Sequence, residues 1–220
     1  MKALIRLITI GTLLLGIFTI ASFMSMDIPA LSVEKQIAKH VVSYNVIMLG
    51  NQRIATGFHL EYEGKVYIVT NKHVCDHSQK LYNHDYIQFE DYVGEIIAID
   101  DEHDLCLVTS NRSEGLKLSD KPSVPMEDLI LVGHPRGLGK TIRKGRHVSL
   151  ESISASWIGP GKHEAILASL IAYGGNSGSP VCNTNCNVVA VLFAGSPRFH
   201  TETLLVPLSY LKSFLAIYAR

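Results

Sequence analysis

The segment Gly174-Gly-Asn-Ser-Gly-Ser-Pro180 is the stretch that decides how this chain is interpreted, and apolar runs typical of strands flank it. A serine hydroxyl is a weak nucleophile at neutral pH and needs a neighbouring base. It also needs backbone N–H groups directed at the negative oxygen that forms during acyl transfer. Glycines beside Ser177 permit a tight turn that would aim the N–H groups of Gly175 and Ser177 at one point. The alternative is an ordinary surface turn, which this composition also suits.

Two earlier segments contain the base and the carboxylate that such a serine needs. His73 follows an apolar run that ends at Thr70, and Asp104 is the last acidic residue before the apolar run 105–108. Taken alone, a histidine or aspartate at such a position is more often structural than catalytic. The order His, Asp, Ser along the chain is that of the chymotrypsin type of triad. His73, Asp104 and Ser177 are therefore the candidate base, orienting carboxylate and nucleophile.

Short apolar runs separated by turn residues predict an all-β fold. Such runs occur at residues 42–49, 65–70, 92–99, 129–133 and 188–193. Many short strands with turns between them indicate a barrel or a sandwich. Only the C-terminal end has a helical pattern, for which Ser209 is a suitable N-cap.

The N-terminus contains an uncharged apolar stretch at residues 7–26, with Lys2 and Arg6 before it and Asp27 after it. A helix that crosses a bilayer needs about 20 apolar residues, whereas the apolar part of a cleaved signal has about 7–15. The length favours an uncleaved signal-anchor within residues 1–26, although the segment around Ala21 leaves a cleaved signal peptide open. Since the positive residues stay inside, both readings place the rest of the chain outside the cytoplasm, either membrane-anchored or secreted into the periplasm or medium.

Composition argues against several other functions. Twenty Lys and Arg balance twenty Asp and Glu, so the chain has no overall positive charge that would favour nucleic acid. No Cys-x-x-Cys or His-Glu-x-x-His motif is present in the sequence. We therefore expect no metal site and no cofactor.

The four cysteines fit an exported protein. Cys182 and Cys186 bracket a three-residue segment that suits a tight hairpin loop, and they are a candidate disulfide. Cys75 and Cys106 each lie close to a candidate catalytic residue. The sequence leaves open whether these two form a second bridge or remain buried thiols.

Taken together, these motifs resemble the trypsin-fold peptidases, and most of all the protease domain of the HtrA (Deg) family without its PDZ domain. The resemblance covers residues 42–218. Three segments before residue 110 carry it: the strand before the histidine (Thr56-Gly-Phe58), the histidine motif (Thr70-Asn-Lys-His-Val74) and the aspartate segment (Asp104-Leu-Cys-Leu-Val108). Three later segments also carry it: the loop ahead of the serine (residues 131–141), the nucleophile motif (Gly175-Asn-Ser-Gly178) and the strand before the last helix (residues 204–209).

The resemblance implies one trypsin-like peptidase domain at residues 42–220, after a juncture at 27–41. It implies two six-stranded antiparallel β-barrels, at about residues 42–120 and 121–208, and a C-terminal helix at 209–218. The chain departs from the family at Ser179, where a second glycine is usual, and we expect a small effect. Asn176 replaces the aspartate that pairs with a newly cut N-terminus in trypsin-like zymogens, so we expect activity without such a cut.

The implied function is that of a serine endopeptidase that cleaves protein or peptide substrates through an acyl-enzyme. The specificity pocket would be lined by the segment before the serine and a neighbouring strand, namely Ile171, Ala172, Tyr173, Leu192, Phe193 and Ala194. Because no acid stands at the base of that pocket, we expect cleavage after small or medium apolar residues. One alternative is a catalytically inactive, membrane-anchored binding protein of the same fold. Another is an esterase, but residues 176–179 lack the second glycine of the Gly-x-Ser-x-Gly elbow.

Overall fold

The computed structural model describes residues 32–48, 51–90, 92–154, 164–196 and 201–219. The predicted membrane segment at residues 7–26 lies outside the described residues. Within the described ranges, no helix is both long enough and apolar enough to cross a membrane.

The first half of the described chain contains two helices and seven strands. In chain order they are α1 (Val33–Ala38), β1 (Val41–Met48), β2 (Asn51–Tyr62), β3 (Lys65–Thr70), α2 (Lys72–Tyr82), β4 (Tyr86–Phe89), β5 (Tyr92–Asp100), β6 (Leu105–Thr109) and β7 (Lys117–Leu118). The second half contains β8 (Asp128–Gly133), a 3₁₀ turn (Pro135–Gly137), β9 (Thr141–Arg146), β10 (Ile153–Ser154), β11 (Glu164–Ala168), β12 (Pro180–Cys182), β13 (Asn187–Gly195), β14 (Thr203–Pro207) and α3 (Leu208–Tyr218).

The first sheet has six antiparallel strands in the order β1-β2-β3-β6-β5-β4. Its two edges meet, because the N–H of Glu90, just after β4, donates to the carbonyl of Ser43 in β1 at 2.9 Å. The Ser43 hydroxyl also donates to the Glu90 carboxylate at 2.7 Å. The sheet is therefore barrel-like. Its buried side chains fall into two apolar clusters: one includes Tyr44, Ile68 and Phe89, and the other includes Phe58 and Val69.

The second sheet has eight strands, in the order β10-β11-β14-β13-β12-β8-β9 with β7 paired in parallel to β13. Beyond the ends of β9 and β11 the chain segments also approach each other, since the Ser169 N–H donates to the carbonyl of Arg146 at 2.8 Å. Helix α3 packs beneath this sheet through Leu208, Leu211, Phe214 and Leu215, which are buried at helical spacing.

The all-β prediction and the C-terminal helix are confirmed. The second sheet has eight strands where six were predicted, because two short strands, β7 and β10, join it. Helix α3 begins at Leu208, with Pro207 in the N-cap position instead of Ser209.

Helix α2 was not predicted. It buries Val74, Cys75 and Ser78, and partly buries Leu81, which is a helical spacing. The signal was weak because the run is short and one of the buried positions is a serine. That serine is accommodated because its hydroxyl donates to the carbonyl of Tyr86 at 2.9 Å.

The structure corrects the cysteine prediction. The disulfide joins Cys75 to Cys106, whereas Cys182 and Cys186 are free. Cys182 is paired across the hairpin with Val188 instead of with Cys186. The thiol of Cys186 lies in the turn and contacts Gln36 of α1, at 3.4 Å from Oε1. The Cys75–Cys106 bridge closes a loop of sequence separation 31, which in the chain-entropy account stabilises the fold by about 3–4 kcal/mol.

Buried histidines make the stability of the fold dependent on pH. The ring of His147 lies between two serine hydroxyls, with Nδ1 3.1 Å from Ser123 Oγ and Nε2 3.2 Å from Ser149 Oγ. Burial is the main cause that lowers the pKa of His147 below 6.5. Burial acts in the same direction on the pKa of His134.

We predict that the melting temperature falls between pH 7.5 and pH 5.5, and falls less in His147→Gln. A folded-state pKa below the unfolded value means that the unfolded chain binds more protons in this range, so stability decreases as pH decreases. Thermal unfolding at several pH values measures the effect. His84→Gln, at an exposed position, is measured in the same way as a control for the substitution itself. A His147→Gln variant with the wild-type slope would contradict the prediction.

Candidate active site

His73 and Asp104 form a doubly hydrogen-bonded pair at one end of the first sheet. Asp104 Oδ2 lies 2.8 Å from His73 Nδ1, and Asp104 Oδ1 accepts the backbone N–H of His73 at 3.0 Å. Because an ionised carboxylate can only accept, the ring proton belongs on Nδ1 and the lone pair on Nε2. The carboxylate side chain is 14% exposed and the imidazole 50% exposed. The pair therefore presents a histidine whose outer nitrogen can take a proton.

Local backbone geometry holds this carboxylate in place. Asp104 adopts a left-handed φ of 54°, which is unfavourable for a residue other than glycine. The fully buried side chain of Asn71 donates to the carbonyl of Asp104 at 2.9 Å. Two residues beyond each member of the pair, Cys75 and Cys106 are joined by the disulfide. The strained conformation persists because the surroundings fix it from both sides.

The loop of Ser177 presents two backbone N–H groups that have no hydrogen-bond partner among the described residues. The N–H groups of Gly175 and Ser177 make no hydrogen bond within the described part of the chain. In both cases the carbonyl of the same peptide group is bound: Gly174 O accepts from Arg136 N at 2.7 Å, and Asn176 O accepts from Ser179 N at 3.0 Å. A trans peptide directs its N–H opposite to its C=O. Each of these two N–H groups therefore points away from the residue that binds the carbonyl of the same peptide.

Ser177 is partly exposed, and its loop packs on the end of β3 and the middle of β2. The carbonyl of Ser177 accepts from Thr56 N at 2.8 Å. Gly178 has a φ of 81°, and a Cβ added to it would lie 2.1 Å from the carbonyl oxygen of Thr56 and 3.1 Å from Thr70 Cα. Thr70 precedes His73 by three positions, so the serine segment and the histidine segment meet here.

Among the described residues, no hydrogen bond joins Ser177 Oγ to the His73 ring. Hydrogen bonds between nucleophile and base are often long before substrate binds. The structure thus brings the predicted base and carboxylate into direct contact and brings the predicted nucleophile's segment against theirs.

The predicted pocket residues do not lie together on one surface. Leu192 and Phe193 are buried in different apolar clusters, since successive side chains of a strand face opposite sides. Ala172 packs with the Leu192 cluster. Ile171 and Tyr173 are exposed, and the guanidinium of Arg136 lies 4.6 Å above the Tyr173 ring. Ala194 is half-buried at the end of β13.

Several residues that shape this site were not singled out as site residues in the sequence. Thr56, Asn71 and Arg136 hold the serine loop or the aspartate through hydrogen bonds. Thr56 belongs to a motif that carried the family resemblance, so a signal existed for it. In the described ranges, no group of three His, Cys, Asp or Glu residues could hold a metal ion.

An all-β fold with this histidine–aspartate pair beside a serine loop is the arrangement of a serine endopeptidase. The family model of the trypsin-like peptidase domain matches residues 55–191, and the chain therefore belongs to the trypsin-like peptidase family. No curated protein sequence matches the chain significantly.

Solved structures share this fold. The active form of the Rv3671c protease from M. tuberculosis is 18% identical, with 86% of each chain covered and a TM-score of 0.66. The HtrA-type protease AlgW, solved with a tripeptide, is 17% identical over 84% of this chain and 62% of its own, with a TM-score of 0.66. The serine endoprotease from Yersinia pestis is 15% identical, with 84% and 66% covered and a TM-score of 0.63. The predicted resemblance to HtrA-type proteases is confirmed by these neighbours.

We predict that Gly175→Ala damages the site and that Gly174→Ala does not. Gly175 has a φ of 101°, and an added Cβ would lie 2.4 Å from the His134 carbonyl, whereas a Cβ at Gly174 meets nothing within 4 Å. Gly175→Ala must move the N–H of Gly175. In serine proteases, loss of one N–H that stabilises the oxyanion lowers kcat by about 10²–10³. Thermal unfolding and peptide cleavage measure both variants. Equal behaviour of the two alanine variants would contradict this account.

Proposed function

We propose that this peptidase cleaves peptide bonds with Ser177 as nucleophile, His73 as general base and Asp104 as the orienting carboxylate. Nε2 of His73 takes the proton of the Ser177 hydroxyl as the hydroxyl attacks the scissile carbonyl. The same nitrogen then gives that proton to the leaving amine, and water resolves the acyl-enzyme by the reverse sequence. The observation that carries the proposal is the pair of hydrogen bonds that His73 donates to the Asp104 carboxylate, at 2.8 Å from Nδ1 and 3.0 Å from the backbone N–H.

The N–H groups of Gly175 and Ser177 would stabilise the tetrahedral oxyanion. The carbonyls of the same two peptides, those of Gly174 and Asn176, already accept hydrogen bonds from Arg136 N and Ser179 N. The donors therefore need little reorganisation when the negative charge develops. Donors fixed before the reaction stabilise the transition state more than donors that must first be ordered. Asp104 would fix the imidazole tautomer and stabilise the imidazolium that forms.

The proposed substrates are proteins or peptides cut after small or medium apolar residues. Of the predicted lining residues, Ile171 and Tyr173 are exposed, and neither the segment 171–173 nor the segment 192–194 contains an acid. A pocket of this composition would not compensate the charge of a lysine or arginine side chain.

The proposed location of the catalytic domain, residues 42–220 with barrels at about 42–120 and 121–208, is outside the cytoplasm. The Cys75–Cys106 disulfide supports this location, because disulfides persist mainly in oxidising compartments. The apolar residues 7–26 would anchor the protein in the membrane, or would be removed as a signal peptide.

We predict that Ser177→Ala abolishes cleavage and labelling by a fluorophosphonate probe, and that Asp104→Asn lowers kcat by roughly 10⁴. The matched control is Asp101→Asn, three positions earlier and 88% exposed, which should cleave like the wild type. Casein or a peptide library serves as substrate. Wild-type cleavage by Ser177→Ala would remove the assignment. A wild-type protein that neither cleaves nor reacts with the probe would favour the inactive binding protein.

We also predict the residue preference at the cleavage point. A peptide library cleaved by the wild-type protein and analysed by mass spectrometry should give Ala, Val, Leu or similar residues before the cut, because neither segment of the proposed pocket contains an acid. The library cleaved by Ser177→Ala is the blank. A profile dominated by Arg or Lys would show that the proposed pocket is wrong while leaving the nucleophile assignment intact.

A further inference from the structure

Thr56 is a buried residue of β2 through which the serine loop is connected to the rest of the structure. Its side chain is 0% exposed, and all its polar atoms are hydrogen-bonded. Oγ1 donates to Gly175 O at 2.7 Å and accepts from His134 N at 3.1 Å. The backbone N–H donates to Ser177 O at 2.8 Å. The backbone carbonyl accepts from Thr70 Oγ1 at 2.7 Å.

These contacts reach two loops that are hydrogen-bonded to each other. The loop after β8 contains His134, whose N–H is bound by the Thr56 hydroxyl, and Arg136, whose N–H holds the Gly174 carbonyl. The serine loop contains Gly175, whose carbonyl receives the Thr56 proton. The Thr56 hydroxyl is therefore bonded both to the loop after β8, which orients the Gly174–Gly175 peptide, and to the next peptide, Gly175–Asn176.

Hydrogen bonds also fix the peptide that contains the Gly175 N–H and the peptides that follow it. The peptide Gly174–Gly175 is held by Arg136, the peptide Gly175–Asn176 by the Thr56 hydroxyl, and the carbonyl of Ser177 by the Thr56 N–H. Gly175 has no Cβ to restrict its backbone, so the direction of its N–H depends on these neighbouring bonds.

We infer that the Thr56 hydroxyl is a positioning group for catalysis: it sets the direction of the Gly175 N–H without touching the substrate. The inference rests on the proposed function and adds to it a residue outside the triad and the oxyanion donors. Valine has nearly the shape of threonine but no hydroxyl. Thr56→Val therefore leaves a buried N–H of His134 and a buried carbonyl of Gly175 without a partner, which favours rotation of both loops.

The test compares Thr56→Val, Thr56→Ser and the control Thr109→Val. Thr109 is also a strand threonine whose hydroxyl accepts a backbone N–H, from Glu95 at 2.9 Å, but it lies in β6. For Thr56→Val we expect a fall in kcat on the order of 10- to 100-fold with a change in KM below about threefold, since the affected interaction forms in the transition state. Thr56→Ser should restore kcat to within about threefold of wild type, and Thr109→Val should match wild type within about twofold.

A second readout separates positioning from general destabilisation. A peptide aldehyde forms a tetrahedral adduct that uses the oxyanion donors, whereas the peptide alcohol of the same sequence has no carbonyl to be attacked and forms no adduct. Thr56→Val should weaken aldehyde inhibition by a factor similar to its loss in kcat and leave inhibition by the alcohol unchanged. Parallel losses in both, or equal kcat values in Thr56→Val and Thr109→Val, would overturn the inference.

Two further arms cover the remaining outcomes. If Thr56→Val does not fold, Thr56→Cys replaces the hydroxyl by a weaker hydrogen-bonding thiol and should show the same effects relative to Thr56→Ser. If the wild-type protein proves inactive, the proposed function fails, and amide hydrogen exchange tests the positioning alone. The His134 amide should then exchange faster in Thr56→Val than in Thr109→Val, and equal rates would overturn the inference.

Discussion

The site depends on carbonyl oxygens that are held by hydrogen bonds, because each such bond fixes the direction of the N–H in the same peptide, including the unbound N–H groups of Gly175 and Ser177. Four successive carbonyls are bound: that of Gly174 by Arg136 N, that of Gly175 by the Thr56 hydroxyl, that of Asn176 by Ser179 N and that of Ser177 by Thr56 N. A planar trans peptide has no freedom to move its N–H independently of its C=O. The free energy that orients the two proposed oxyanion donors is therefore spent during folding, before any substrate arrives, which is the condition for electrostatic preorganisation.

The first sheet supplies the proposed base, His73, and its carboxylate, Asp104, and it holds them by different means. The Asp104 backbone is in a left-handed conformation that only its surroundings can maintain. Asn71 binds its carbonyl, and the disulfide joins α2 to β6 two residues further along each segment. Strain at Asp104 is thereby offset by interactions outside the reacting groups. The proposed nucleophile, Ser177, comes from the side of the second sheet, and Thr56 of β2 forms the contact between the two sides.

Much of this arrangement could be predicted from sequence because its signals are local. Glycines around Ser177, an apolar strand before His73 and one after Asp104 are all readable from neighbouring residues. Helix α2 was missed because its buried face includes Ser78, whose burial depends on a partner in the next strand. The cysteine pairing was wrong for a similar reason: proximity along the chain favoured Cys182 and Cys186, whereas the pairing of β3 with β6 brings Cys75 and Cys106 together. Thr56 lies in a segment that carried the family resemblance, but its hydrogen bonds reach residues far away in sequence, so these contacts could be seen only in the folded chain.

Asn176 shows why this loop can be ordered without a charge. Its side chain is 1% exposed, and its Oδ1 is buried without a hydrogen-bond partner among the described residues. A Cβ added at Gly133 would lie 2.6 Å from that oxygen and 2.2 Å from Ser179 Oγ, so these side chains fill the space beside β8. An aspartate here would be a buried carboxylate that needs a cation, which is costly when none is present. The neutral amide avoids that cost, and the carbonyl hydrogen bonds of the loop supply the order that an ion pair would otherwise give. The expectation that activity needs no newly cut N-terminus follows from this substitution of hydrogen bonds for charge.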